Sequence, residues 1–140
     1  MAISLRGDQE ISSVPTIKSK ALRINLNRDI YGTFAEIGAG QETARNFFRS
    51  GAASGTIAKA MSAYDKDFSD AIYGMEEDKR YVTQPRLQTM LRHEIDLIED
   101  RLSRQKHPDK LFFSYANTVT TIDFARQFKG HGWVGIRFQL

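Results

Sequence analysis

Two stretches of this chain combine small residues with charge in a way that suits holding an anion. Ala35-Glu-Ile-Gly-Ala-Gly-Gln-Glu42 runs from an apolar segment into Gly38 and Gly40 and then into a helical pattern, where backbone N–H groups and the helix dipole can cradle a negative group. Ser50-Gly-Ala-Ala-Ser-Gly-Thr-Ile-Ala-Lys59 opens a second helical pattern. There Ser54 and Gly55 permit close approach and Lys59, one turn in, supplies positive charge. The spacing is not that of a P-loop, because Gly51 and Gly55 are four apart and Lys59 lies four beyond. Gly38, Gly40, Ser54, Gly55 and Lys59 are the phosphate- or nucleotide-binding candidates. Structural duties compete with that reading, since a strand-to-helix turn and tight helix packing both use small residues.

Proton transfer has its own candidates. Asp65 and Lys66 interrupt an apolar helical pattern, and His131 sits between Gly130 and Gly132 just before a strand pattern, within reach of a ligand and of neutral pH. A solvated helix face and an ordinary turn histidine explain them equally well. His93 and His107 form no His-x-x-x-His or His-x-x-Glu pair, so no metal site is expected. Ser114, Tyr115, Asn117 and Thr118 end a strand pattern, a common address for ligand contacts in α/β proteins. No cofactor can be named. The Gly38 and Gly40 motif has the look of the glycine-rich turn of S-adenosylmethionine-dependent methyltransferases, but Glu42 stands where a further glycine is usual.

The elements that must position these residues follow from periodicity. Leu22, Ile24 and Leu26 alternate with polar residues and predict a strand over 21–26; Ile30 to Ile37 predicts a second. Glu42 to Arg49 predicts a helix stopped by Ser50 and Gly51. Thr56 to Tyr73 predicts a core helix with a break near Asp65. The clearest helix starts at Thr83 as N-cap with Pro85 in its first turn, carries the stripe Leu87, Leu91, Ile95, Ile98 and Leu102, and ends by Pro108. Lys110 to Ala116 and Trp133 to Leu140 predict two further strands.

Composition bounds the rest. The 140 residues suit one domain, and the absence of cysteine removes disulfides, thiolate metal sites and cysteine nucleophiles. Charge is spread evenly, with 9 basic and 8 acidic residues in 1–70 against 11 and 9 in 71–140, so no nucleic-acid partner is expected. Residues 1–20 lack periodicity and read as a flexible arm. No apolar run near the start is long enough for a membrane span or a secretory signal, which makes the cytoplasm the default location and argues against a membrane partner. Ending on an apolar alternating strand leaves a sheet edge unpaired, so residues 21–140 are expected to be the N-terminal portion of an α/β domain completed by further sequence.

The stretch Ala21 to Leu140 resembles the opening of a poorly characterised family of longer bacterial proteins. Asp29-Ile-Tyr-Gly-Thr-Phe-Ala-Glu-Ile-Gly-Ala-Gly-Gln-Glu42, Ala53-Ser-Gly-Thr-Ile-Ala-Lys59, Ser62-Ala-Tyr-Asp-Lys66, Phe113-Ser-Tyr-Ala-Asn-Thr118 and Gly130-His-Gly-Trp133 carry the resemblance. Its members bear the transferred names nicotinate-nucleotide adenylyltransferase and TonB-dependent receptor. Neither chemistry is written in these residues, since there is no His-x-Gly-His motif and no series of barrel strands.

The resulting expectation is an α/β fold, an incomplete mixed sheet of about four strands with three or four helices. The function expected first is the N-terminal region of an enzyme handling a nucleotide or other phosphorylated small molecule. A non-catalytic scaffold or assembly module whose polar loops contact a partner chain is the alternative, and methyl transfer is third; a homo-oligomer is a possible state of the chain.

Overall fold

The computed structural model describes residues 14–122, 124–127 and 129–139. It is an α/β fold, with four α-helices and one four-stranded mixed sheet among the described residues. Of the expected arm, residues 1–13 lie outside that description.

The first element corrects the expected strand over 21–26. It is a helix, α1 (Ile17–Asn25), started by a capping box in which Thr16 Oγ1 accepts the Ser19 N–H and the Ser19 hydroxyl accepts the Thr16 N–H. Six alternating residues fit either period, and Ile17, Ala21 and Ile24 also lie on one helical face. The cap decides between them. Residues 17–20, assigned to the arm from sequence, are therefore helical. Buried Asn25 fixes the C-terminal end by donating from Nδ2 to the carbonyls of Phe47 (3.0 Å) and Gly51 (2.8 Å).

Strand β1 (Ile30–Gly38) follows as expected, then α2 (Thr43–Ser50), which stops where Gly51 takes φ 90°. The expected helix over 56–73 divides at Asp65. Its first half is strand β2 (Ile57–Ala63), preceded by a short 3₁₀ turn (Ala53–Gly55); its second half is α3 (Lys66–Tyr73). Alanine, lysine and methionine favour helix locally, but the parallel register of β2 on β1, with Lys59 opposite Thr33 and Ala63 opposite Ile37, overrides them. Helix α4 (Gln84–Arg101) is the one anticipated, with Thr83 accepting the Arg86 N–H at 3.2 Å and Leu87, Leu91, Ile95 and Ile98 buried.

Strands β3 (Leu111–Thr120) and β4 (His131–Phe138) complete the sheet in the order β2-β1-β3-β4. β1 is parallel to both neighbours, and β4 is antiparallel to β3. The chain leaves β1 toward β2 through α2 and comes back to its other side through α3 and α4. These crossovers lie on opposite faces. Ala35, Ile37, Ala116, Met90 and Leu91 pack on the α4 side, while Phe34 and Phe113 pack against Ala44 and Phe47 of α2. Helix α2 covers only the β1 half of its face, so β4 presents Val134, Ile136 and Phe138 at 63%, 57% and 53% exposure.

Candidate functional site

With the crossover from β1 to β2 and the crossover from β2 to β3 on opposite faces, the carboxyl ends of β1 and β3 form the switch point of the sheet, where open α/β folds place their ligand crevice. The register aligns its floor: Ala63, Ile37, Thr118 and Trp133 form one row across the four strands, and Gly38 sits beside Val119. One wall is the turn from β1 into α2. Gly38 has φ 77°, and a Cβ there would lie 2.2 Å from the Val119 carbonyl oxygen, so the close approach of the two strand ends requires glycine. The Ala39 N–H donates to that same carbonyl at 3.0 Å. Gln41 then closes the turn, donating from Nε2 to the carbonyls of Gly38 (2.8 Å) and Glu36 (3.0 Å).

Beneath this turn the protein supplies its own anion. The buried Glu36 carboxylate accepts the N–H groups of Thr43 at 2.9 Å and Ala44 at 3.3 Å, the first free donors of α2. Asn117 Nδ2 donates to the same carboxylate at 2.9 Å, and to Tyr115 Oη at 3.3 Å; Tyr115 in turn shares a 2.9 Å hydrogen bond with Thr43 Oγ1. The helix dipole at Gly38 and Gly40 is thus already answered by Glu36.

The other wall comes from α3 and the segment leading to α4. Asp65 caps α3, accepting the Phe68 N–H at 3.0 Å, and the Lys66 ammonium lies 4.6 Å above the Tyr81 ring. Tyr81 is tied to the crevice because Thr118 Oγ1 donates to its carbonyl at 2.8 Å. Arg86 anchors the same segment. Its buried guanidinium donates to the Gly74 carbonyl (2.6 Å), Ser69 Oγ (2.8 Å), Glu76 (3.2 Å) and Asp70 (3.3 Å), and faces the rings of Tyr73 and Tyr81.

The sequence candidates therefore separate into two groups. Gly38, Gly40, Asp65, Lys66 and His131 all stand at the carboxyl edge of the parallel strands, His131 because β4 runs antiparallel and starts opposite Thr120. Asp65 follows β2 and His131 begins β4, the two outer strands of four, which lie about 14 Å apart by strand spacing. His131 is exposed, with Nδ1 3.4 Å from the Lys129 carbonyl. Ser54 and Gly55 lie at the opposite edge, before β2, where Gly55 leaves room for the Asn25 carbonyl.

Lys59 is on β2 rather than on a helix. Its ammonium pairs with Glu94, whose fully buried carboxylate also accepts from Tyr73 Oη at 2.8 Å and Thr33 Oγ1 at 3.5 Å. Burial, reinforced by the adjacent Glu94 charge, pushes the Tyr73 hydroxyl well above the ordinary tyrosine range. Sequence reasoning missed Glu36, Glu94 and Arg86. Each carried a signal: Glu36 is an acid inside an apolar strand run, and Glu94 and Arg86 share the buried face of α4 with its apolar stripe. Among the described residues no group of three His, Asp or Glu side chains could hold a metal ion.

Solved structures share this architecture. The competence/damage-inducible protein CihA from Agrobacterium tumefaciens superposes with a TM-score of 0.59 at 14% identity, covering 89% of this chain and 80% of its own. A competence-damaged protein (CinA) superfamily protein from Enterobacter cloacae gives 0.61 at 13% identity, covering 100% and 85%. A competence or damage-inducible protein from Enterobacter asburiae gives 0.59 at 12%, covering 90% and 84%. At these identities the likeness is one of fold. Neither of the names borne by the bacterial family noted from sequence occurs among these three. No protein-family model and no curated protein matches the sequence. No helix among the described residues is long and apolar enough to cross a membrane.

Proposed function

We propose that the crevice at the carboxyl ends of β1 and β3 binds a nucleotide or other phosphorylated small molecule, in the cytoplasm of a bacterial cell. One observation supports this reading: the Gly38 to Gly40 turn after β1 and Lys66 after β2 both follow the carboxyl ends of adjacent parallel strands, at the edge where β1 and β3 form the switch point of the sheet. Lys66 is the cation for the phosphate, because among the described residues it forms no ion pair, whereas Lys59 is neutralised by Glu94. His131, exposed on the same edge, is the candidate proton carrier, and Asp65 keeps its capping duty. Ser54 and Gly55 belong to the packing of the opposite edge in this reading.

Thermal melts with ATP, nicotinate mononucleotide, S-adenosylmethionine and inorganic phosphate test it. A ligand that binds only the native state raises the melting point, by about 2.7 kcal/mol of stability at a hundredfold excess over Kd. Lys66→Ala should fold normally and lose the shift given by phosphorylated ligands. A rise with S-adenosylmethionine alone would instead favour methyl transfer.

A second reading, an assembly module pairing with a second copy of this chain, is favoured by the exposed Val134, Ile136 and Phe138 on β4, the edge strand of the sheet among the described residues. Sedimentation of the unliganded chain separates the two. A dimer abolished by Ile136→Glu, together with no ligand response, favours assembly.

A further inference from the structure

We infer that the Gly38 to Gly40 turn receives an uncharged hydrogen-bond donor of the ligand, a sugar hydroxyl or amide N–H, and rejects phosphate, with Asn117 Oδ1 as the acceptor. This deepens the proposed nucleotide reading and rests on it.

The first observation is that the N-terminus of α2 is closed to anions. A phosphate at a glycine turn binds through the free N–H groups of the following helix, and here the N–H groups of Thr43 and Ala44 already donate to Glu36. A second negative group at that place would meet a buried carboxylate rather than open donors. The second observation is independent and concerns an acceptor. Asn117 is 5% exposed, and its Oδ1 has no hydrogen-bond partner. Its orientation is set, because Nδ2 donates to the Glu36 carboxylate, and turning the amide over would place two oxygens face to face.

Oδ1 is therefore directed into the turn, 2.9 Å from the point where a Cβ on residue 40 would stand. The absence of a side chain at Gly40 leaves that space open. Buried polar atoms are nearly always paired, so an unpaired amide oxygen beneath a glycine turn at a crevice identifies a place for an incoming donor. The turn is held by the two Gln41 hydrogen bonds to the carbonyls of Glu36 and Gly38, and a ligand enters by exchanging them. Ligand orientation follows: the hydroxyl-bearing part lies at Gly40 and Asn117, and the phosphate points to Lys66 on the other wall.

Backbone and side-chain amide NMR of the ¹⁵N-labelled chain tests this with three probes: adenosine, AMP and inorganic phosphate. Adenosine and AMP should shift the Gly38 and Gly40 amides and the Asn117 side-chain amide, while phosphate should move resonances near Lys66 and Tyr81 and leave Gly40, Thr43 and Ala44 in place. Asn117→Ala should weaken AMP about tenfold, the loss of one hydrogen bond, with the phosphate response unchanged. Phosphate shifts at Gly40, Thr43 and Ala44 would overturn the inference. AMP binding that perturbs Lys66 and never the glycine turn would overturn it too, and would leave the nucleotide reading standing. If none of the probes shifts any resonance, the nucleotide reading fails and the inference with it. The wild-type spectra decide even where Asn117→Ala fails to fold.

Discussion

Glu36 and Asn117 meet across the β1–β3 pair, the carboxylate of one accepting the amide of the other at 2.9 Å, and this contact joins the start of α2 to the crevice floor. The same carboxylate holds two helix N–H groups. Glu36→Ala would leave the N–H groups of Thr43 and Ala44 without an acceptor and the Asn117 amide with only its longer bond to Tyr115. An N-cap contributes about 1 kcal/mol, and each buried donor left unpaired costs about 1–3. The expected loss is about 3 kcal/mol, read as a lower urea midpoint with an unchanged m-value. Glu36→Gln retains one accepting oxygen and should lose about half as much.

Lys59 and Glu94 form a second unit beneath the sheet, with Tyr73 and Thr33 donating to the same carboxylate. Removing one member of a buried pair strands the other, while removing both charges is far milder. The Lys59 side chain is 40% exposed, so water replaces part of what it gives. Lys59→Met should cost about 2 kcal/mol. Adding Glu94→Gln should recover part of that loss, because a neutral amide oxygen still accepts from Tyr73. Denaturation of the two single variants and the double variant checks the sign. A double variant less stable than the sum of the singles would sink the pairing argument. Any loss of ligand response in Lys59 variants has to be compared with this stability change.

Tyr73 makes stability depend on alkaline pH. Burial, and then the neighbouring Glu94 charge, raise its folded pKa above the ordinary value, so the native state keeps a proton that the unfolded chain gives up near pH 10. Its contribution is complete below pH 10 and declines as pH rises beyond it. The urea midpoint should fall above pH 10 more steeply in the wild type than in Tyr73→Phe. Absorbance at 295 nm should show one tyrosine that ionises only on unfolding. A Tyr73→Phe profile parallel to the wild type would contradict the assignment.

The fold class was legible in the sequence because its strongest signals are long. The stripe of α4 recurs over about four turns and brings Thr83 and Pro85 with it, and β1 is a run of β-branched and aromatic residues. The errors fell on short segments whose residues suit two periods. In 21–26 a capping box at Thr16, outside the alternating window, settled on helix. In 57–63 the deciding interaction was pairing with a strand some twenty-five residues earlier. Of the proposed site, the need for glycine was legible at Gly38, where the backbone has positive φ, and at Gly40, where a Cβ would meet Val119 and Asn117. The site was not legible in its charges: which acid answers which helix end or lysine depends on the crossovers, and Glu36 and Glu94 become partners of Thr43 and Lys59 only once β1, β2 and α4 are assembled.

Gly38 and Gly74 offer a controlled test of how far the crevice depends on strand approach. Both have positive φ, 77° and 90°, but a Cβ on Gly74 meets nothing within 4 Å, whereas one on Gly38 would stand 2.2 Å from the Val119 carbonyl. Gly74→Ala therefore reports backbone strain alone, about 1–2 kcal/mol. Gly38→Ala carries a similar strain and must also push the end of β1 from the end of β3, breaking the Ala39 to Val119 hydrogen bond. Its loss should be larger by at least about 1 kcal/mol in urea denaturation. The functional difference should be sharper than the energetic one. Gly74→Ala leaves the crevice floor in register and should bind AMP as the wild type does, while Gly38→Ala separates Gly40 from Asn117 and should bind it more weakly even where it remains folded. Equal AMP affinity in the two variants would move the binding site away from the β1–β3 crevice.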